Sequence, residues 1–264
     1  MKFNTNYQKS KEYIVDNLVK YLNIIKKSLD SILIEERENI EKASDIISKK
    51  IAEGKLLYIF GTGGHSIMAG EELFKRAGGL ALISPIFFPG VSLVTGLSSN
   101  TRVERVPGIA KFVMESHGLK EGDVLIINNA AGINALTIDA ALLAKERGIT
   151  VIGIVSKEFA NNVPPGHEAR HPSNKNLHEV SDVSIDIKVP LGDAVIDIEG
   201  LEQKTAPIST INIAFVLHSL IIRVIEKLLQ KGIQPPVWRS ANIPGGTEYN
   251  KNISDKYLHL IKHL

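Results

Sequence analysis

The chain has 264 residues, 44% hydrophobic and 23% charged, and a formal net charge of +2. This composition supports a substantial core. The small charge gives no reason to expect a nucleic-acid partner, and the lack of cysteine excludes disulfides and thiolate chemistry. The N-terminal residues lack the apolar run of a signal peptide, and no stretch is apolar enough to span a membrane, so we expect a cytoplasmic protein without a membrane partner.

The first fifty residues carry apolar side chains at helical spacing, and they predict two helices. We therefore expect a helical segment at 1–53 that packs outside a main domain at 54–264. Some apolar residues of this segment are surplus to one helix face, and a dimerisation arm is the alternative interpretation.

From Lys55 onward, short apolar runs alternate with amphipathic stretches, which is typical of βαβ units. The sequence therefore predicts an α/β fold, with a parallel sheet covered by helices on both faces. Residues 156–180 contain three prolines and predict a long loop. Strands are predicted at 55–60, 80–88, 123–128, 150–155, 182–187 and 194–199. Helices are predicted from the first glycine loop to Arg76 and at 102–118, 135–148, 207–231 and 248–263.

A glycine-rich loop follows the first predicted strand and precedes a helix. Its glycines allow the backbone to approach a ligand closely, and the N–H groups at a helix start favour an anion such as phosphate. An ordinary tight turn is the alternative. A dinucleotide site is weaker, because Ser66 stands where a third glycine is needed. The predicted ligand-binding residues of this loop are Gly61, Gly63, Gly64, His65 and Ser66.

A second loop, residues 128–134, follows the third predicted strand. Ligands of open parallel sheets bind beyond the carboxyl ends of the strands, so the two loops can converge on one crevice. Asn129, Gly132 and Asn134 are the predicted ligand-binding residues there. Turn and cap chemistry of asparagine is the alternative.

Two ionisable residues are candidates for proton transfer. Glu72 lies seven residues after His65, which predicts a shared helical face, and a carboxylate near a sugar can act as a general base. A surface charge that complements the helix dipole is the alternative. Among the histidines of the 156–180 loop we select His171 as an acid or base, since the prolines disfavour a three-histidine metal site. His218 lies in an apolar helix and is predicted to be a core or interface residue.

The ordered pieces from about Tyr58 to Tyr257 resemble the sugar isomerase (SIS) family, and within it a group related to phosphoheptose isomerases. These pieces are FGTGGHSIMAGEELFKRAGGL, VERVPGIA, GDVLIINNAAGIN, AKERGITVIGIVS, RHPSNKNLHEVSDVSID, LGDAVIDIEG, PISTINIAF and PPVWRSANIPGG. The resemblance implies a three-layer αβα fold with a five-stranded parallel sheet, and a homodimer or homotetramer with shared sites. We expect no cofactor and no metal.

The resemblance also implies roles for individual residues. Ser66 matches a phosphate-binding serine, Glu72 matches the catalytic glutamate of phosphoheptose isomerases, and Ser209 matches a residue near the ligand, although it can equally be an N-cap. The family's Ser-x-Ser-Gly turn is replaced by Asn129 to Gly132, so two hydroxyl donors are missing. The Gln-Glu-x-His motif that carries the family's catalytic histidine is also missing, so this role is not transferred to His218.

The function implied is aldose–ketose isomerisation of a sugar phosphate. A sensor that binds a phosphosugar without catalysis is the first alternative, and a lyase or deaminase acting on an amino-sugar phosphate is the second.

Overall fold

The structure, a computed structural model, describes residues 16–264. The helical prediction for residues 1–15 therefore lies outside the described residues. The helices are α1 (Asn17–Glu35), α2 (Arg37–Ala52), α3 (Met68–Leu73), α4 (Leu97–Val103), α5 (Ile109–Glu115), α6 (Ala135–Glu146), α7 (Lys157–Asn162), α8 (Leu177–Val180), α9 (Ser209–Gln230) and α10 (Gly246–Tyr257). The strands are β1 (Leu57–Gly61), β2 (Ile83–Pro85), β3 (Val124–Asn128), β4 (Thr150–Val155), β5 (Val183–Asp186), β6 (Ala194–Ile196) and β7 (Thr205–Pro207).

Five strands form a parallel sheet in the order β2-β1-β3-β4-β5. The predicted α/β class and the five-stranded αβα architecture are confirmed. Strands β1 and β3 are neighbours, and Gly61 at the end of β1 pairs with Asn128 at the end of β3. The loops that follow these two strands therefore leave the sheet side by side.

Alternate residues of each strand face opposite sides of the sheet, as strand geometry requires. Leu57 and Ile59 of β1 join one hydrophobic core, and Tyr58 and Phe60 join the other. The first core includes residues of α2, α3 and α9, and the second includes residues of α5 and α6. The fully buried Ile47 places α2 within the first core, whereas most of α1 is exposed. The division at residue 53 stays a prediction.

The predicted helix 102–118 is wrong, because the chain forms two shorter helices, α4 and α5, there. Pro107 lacks a backbone N–H, and Gly108 has a φ of 86° that ordinary residues avoid, so a continuous helix cannot pass them. The helix predicted to reach Arg76 ends at Leu73. It begins at Met68, so the expectation that His65 and Glu72 share a helical face is also wrong.

Two of the predicted strands differ from the structure. Only Ile83–Pro85 of the predicted strand 80–88 join the main sheet. Leu80 instead makes an isolated antiparallel bridge with Val237. Strand β6 at the predicted 194–199 pairs antiparallel with β7, outside the main sheet, and the sequence did not predict β7. The predicted loop 156–180 contains the short helices α7 and α8. No helix within residues 16–264 is long and apolar enough to cross a lipid bilayer.

Candidate functional site

The loop after β1 presents a row of free backbone donors. Within residues 16–264, the N–H groups of Gly63, Gly64, His65 and Ser66 donate no hydrogen bond, whereas Thr62 N–H donates to Asn128 O at 3.1 Å. The peptide carbonyls of Gly63 and Ser66 accept from Ile67 and Ala69, so the loop is fixed while its donors stay open. Successive free N–H groups form a concave site suited to an anion.

Two close approaches require glycine in this loop. A Cβ on Gly61 would lie 2.0 Å from the backbone oxygen of Ser66, which leaves no room for any side chain. A Cβ on Gly63 would lie 2.9 Å from Asn129 Nδ2, 3.0 Å from Glu104 Oε2 and 3.5 Å from Ser66 Oγ. Polar atoms of three side chains therefore converge on Gly63.

The loop after β3 is held by an asparagine turn. Gly132 N–H donates to Asn129 Oδ1 at 2.8 Å, and Gly132 has a φ of 63°. Asn129 Nδ2 also makes a long hydrogen bond of 3.4 Å to Thr62 O, so Asn129 connects the two loops. The alternative interpretation of Asn129 as a turn residue thus describes part of its role. Its ligand-binding role stays a prediction.

Buried polar contacts fix the two loops against each other. Asn128 is fully buried, and its Nδ2 donates to Ser66 O at 3.2 Å. The hydroxyls of Thr62 and Thr137 lie 2.7 Å apart. Because buried polar groups are costly unless they are paired, these contacts define one relative position of the loops and α6.

Glu104 is a site residue that the sequence analysis missed. It follows α4 directly as its C-cap residue, and its half-buried carboxyl lies against Gly63. Burial raises the pKa of Glu104 to about 7, and the positive charge of Arg105 opposes this shift. The carboxyl can therefore carry or release a proton near neutral pH. The sequence signals were an acid three residues before Pro107 and its place in the VERVPGIA piece.

A pocket of about 480 Å³ opens beside Glu104, at the carboxyl edge of the sheet. Asn134 lines it, and the Asn134 Nδ2 donates to Ala169 O at 3.1 Å. His167 and Arg105 also line the pocket, together with apolar side chains that include Phe159. A volume of several hundred Å³ with mixed walls matches a small polar ligand.

Glu72 is paired with a residue that was predicted to be in the core or an interface. His218 Nε2 lies 2.9 Å from Glu72 Oε1, and Arg76 Nε lies 3.4 Å from the same oxygen. The His218 side chain is 43% exposed, so it is not a core residue. Helix α9 carries it to the edge of its contact with α3. A carboxylate and an imidazole at this distance form a pair that can exchange a proton.

His171 and Ser209 are already engaged within the protein. His171 Nε2 lies 3.0 Å from Asp139 Oδ1, and its Nδ1 lies 2.7 Å from Ser173 Oγ. Ser209 Oγ donates to Asp193 Oδ2 at 2.5 Å. Both side chains therefore stabilise the local structure, and their predicted roles in catalysis and ligand binding stay predictions. Among the loop histidines, His167 lines the 480 Å³ pocket.

His65 and Gly64 border a second, smaller pocket of about 270 Å³. Glu71 and Thr210 line the same pocket, so it lies where the first loop, α3 and the start of α9 meet. The predicted residues thus divide between two neighbouring surfaces. Ser66, Asn129 and Glu104 come together at Gly63, and Gly64 and His65 border the smaller pocket with Glu71, the neighbour of Glu72.

Comparison with known proteins identifies the family to which this chain is similar. A model described as the SIS domain matches residues 20–156. A UPF0309 protein of Shouchella clausii is 40% identical over 245 residues, covering 92% of this chain and 98% of its own length. A UPF0309 protein of Oceanobacillus iheyensis is 38% identical, with the same coverage of both chains.

The fold also matches solved structures. A phosphoheptose isomerase from Francisella tularensis superimposes with a TM-score of 0.53, covering 80% of this chain and 97% of its own. The sequence identity is 11%, so this match concerns the fold alone.

Proposed function

Since this chain belongs to the SIS-domain family and to its UPF0309 group, we propose that it binds a sugar phosphate and isomerises it between aldose and ketose. The free N–H groups of Gly63, Gly64, His65 and Ser66 are the observation that carries the proposal. An anion supplies the acceptors that these donors lack. A phosphorylated sugar adds hydroxyl groups for the polar side chains nearby.

The Glu72–His218 pair supports the catalytic part of the proposal. In an aldose–ketose isomerisation, a base removes the proton from the carbon next to the carbonyl and returns it to the neighbouring carbon. A second group moves a proton between the two oxygens. We assign the first role to the Glu72 carboxylate and the second to the His218 imidazole, which lies 2.9 Å away. No atom is gained or lost overall.

The position of the pair is consistent with a ligand held by the first loop. Glu71, the neighbour of Glu72, lines the 270 Å³ pocket with Gly64 and His65. A homodimer or homotetramer belongs to the same proposal. Its support is the apolar surface of α1, where the side chains of Leu18 and Ile34 are 78% and 74% exposed.

Two measurements test the proposal in sequence. A thermal-shift panel of hexose and pentose phosphates first identifies a ligand, and we expect at least one to raise the melting temperature where its unphosphorylated sugar does not. NMR in deuterium oxide then follows exchange of the C2 proton. We expect exchange with the wild-type chain, and a loss of about 10²–10⁴-fold in Glu72→Gln with ligand affinity unchanged within a few-fold.

Glu71→Gln is the matched control, because Glu71 carries the same charge one residue earlier but has no contact with His218. At saturating ligand it should retain the exchange rate, even where its place in the wall of the 270 Å³ pocket changes the affinity. If a sugar phosphate binds but no C2 proton exchanges, the isomerase assignment is wrong and the sensor alternative takes its place. If no sugar phosphate binds, the proposed ligand class is wrong.

A further inference from the structure

We propose that Glu104 holds the phosphate of the ligand in its protonated form, so that binding of a sugar phosphate takes up one proton. This inference rests on the proposed function, because it concerns the same anion-binding loop. It assigns Glu104 as a ligand-binding residue, and it makes affinity depend on pH.

The geometry places the Glu104 carboxyl at the open donors of the first loop. Its Oε2, Asn129 Nδ2 and Ser66 Oγ all surround Gly63, whose N–H is free. Within residues 16–264, the Glu104 carboxyl accepts no hydrogen bond and forms no ion pair. An anion seated on the loop would therefore lie next to this unpaired carboxyl.

An ionised carboxylate at this position would repel an anionic ligand. A protonated carboxyl instead donates an O–H hydrogen bond to a phosphate oxygen. This donor would replace a hydroxyl in the turn from Asn129 to Gly132, where the related family has serines. Glu104 thus compensates for a hydroxyl donor that is missing at Asn129 and Ala131, the two positions that match the family's serines.

The surroundings make protonation possible near neutral pH. Burial raises the pKa of Glu104 to about 7. The positive charge of Arg105 opposes this shift, but the Arg105 guanidinium pairs with Glu168 at 2.8 Å. The elements around the crevice carry further titratable or charged groups. They are His65 on the first loop, Arg102 on α4, Asp139, Lys145 and Glu146 on α6, and His167, Glu168, Arg170, His171 and Lys175 on the 163–176 loop.

The direction of the pH effect follows from linkage. At pH 6 most of the Glu104 carboxyl is protonated, and at pH 8 about one tenth is, given a pKa of about 7. When only the protonated form binds, the affinity of the wild-type chain falls about tenfold between these pH values. Glu104→Gln keeps a donor amide but cannot ionise, so its affinity should not fall for this reason. At pH 8 the variant should bind about tenfold more tightly than the wild type.

Isothermal titration calorimetry tests this with the tightest sugar phosphate of the panel and with the sulfate ester of the same sugar. The sulfate does not titrate between pH 6 and pH 8, so any proton taken up when it binds is bound by the protein. Titrations in two buffers with different ionisation enthalpies give the number of protons. We expect an uptake at pH 8 that approaches one proton per site in the wild type and is lost in Glu104→Gln.

Two further variants sharpen the result. Glu115→Gln removes a carboxylate that pairs with Arg147 and lines neither pocket, so it should retain the wild-type proton uptake. Glu104→Ala lacks both the charge and the donor, so it should bind more weakly than Glu104→Gln at pH 6. Melting temperatures confirm that each variant is folded.

The outcomes separate the two proposals. Absence of binding by the wild type to every sugar phosphate overturns the proposed function and this inference together. Binding with equal proton uptake in the wild type and in Glu104→Gln leaves the proposed function intact and overturns the role of Glu104. The same holds if Glu104→Gln binds more weakly than the wild type at pH 8.

Discussion

Two helices of this chain, α3 and α9, begin near a serine that resembles a ligand-binding residue. The hydrogen bonds around these two serines, Ser66 and Ser209, differ. Around Ser66, the backbone N–H groups from Gly63 onward have no partner within residues 16–264. At Ser209, Asp193 accepts hydrogen bonds from the Ile208 N–H, the Ser209 N–H and the Ser209 hydroxyl. The first site has donors for a ligand, whereas the second has used its donors to start α9.

This difference teaches what separates a binding loop from a helix cap. Both use backbone N–H groups beside a helix start, since Gly63 to Ser66 precede α3, and Ile208 and Ser209 lie at the start of α9. The distinction is whether the protein supplies the acceptor itself. Asp193 supplies it to α9 from a turn with a φ of 66°, a conformation that aspartate tolerates better than most residues. Within residues 16–264, no carboxylate accepts a hydrogen bond from the N–H groups of the first loop.

Gly61→Ala should have the largest effect on the first loop. The new Cβ would lie 2.0 Å from the Ser66 carbonyl oxygen, and a backbone atom cannot rotate away. We expect the first loop to be displaced, with a loss of stability of about 1–3 kcal/mol in chemical denaturation and loss of sugar-phosphate binding.

Gly64→Ala is the control for this effect. The three atoms nearest to a Cβ there all belong to side chains, the exposed Leu93 at 2.8 Å and the amide of the buried Asn100 at 3.0 and 3.1 Å, rather than to backbone. It should therefore cost much less than Gly61→Ala. Equal stability losses in the two variants would show that the close approach at Gly61 does not hold the loop.

Ser66→Ala should weaken ligand binding without changing the stability of the free protein. Losing a hydrogen bond to a charged group costs about 1.5–3 kcal/mol of binding free energy, and calorimetry with the phosphorylated sugar should measure this loss. The free protein should be as stable as the wild type, because the Ser66 hydroxyl has no hydrogen-bond partner within residues 16–264. An equal loss for the unphosphorylated sugar would mean that Ser66 does not contact phosphate.

The sequence predicted the sheet better than it predicted the surroundings of the site. Strands β1, β3 and β4 are continuous apolar runs, because both faces of a central parallel strand are buried, and such runs are easy to recognise. The failures lie where partners are distant in sequence. Leu80 was predicted to be in a strand of the sheet, but its backbone instead pairs with that of Val237, which is far away in the sequence.

The residues of the candidate site were also predictable only where they follow a strand. Ser66 and Asn129 could be predicted, because each follows a strand and strand ends gather at one edge of the sheet. Glu104 could not, since it reaches Gly63 only through the break after α4, and that segment was predicted to be one helix. His218 was predicted to be in a core or an interface because α9 is apolar. Its pairing with Glu72 depends on how α9 crosses α3.

Ser209→Ala should have the smallest effect. It should lower the stability of the fold, whereas Ser66→Ala should lower the affinity for the ligand. The change removes the hydroxyl that donates to Asp193 Oδ2, while the Ile208 and Ser209 N–H groups keep Asp193 Oδ1 as their acceptor. Two of the three contacts thus survive, so we expect a stability loss of about 1 kcal/mol or less in chemical denaturation.

Sugar-phosphate affinity should not change in Ser209→Ala, because the hydroxyl is already used inside the protein. The pair of serine variants then gives a double test, in which one serine changes binding without stability and the other changes stability without binding. If Ser209→Ala instead weakens binding of the phosphorylated sugar as much as Ser66→Ala does, Asp193 must release the hydroxyl when the ligand arrives. The start of α9 would then belong to the binding site.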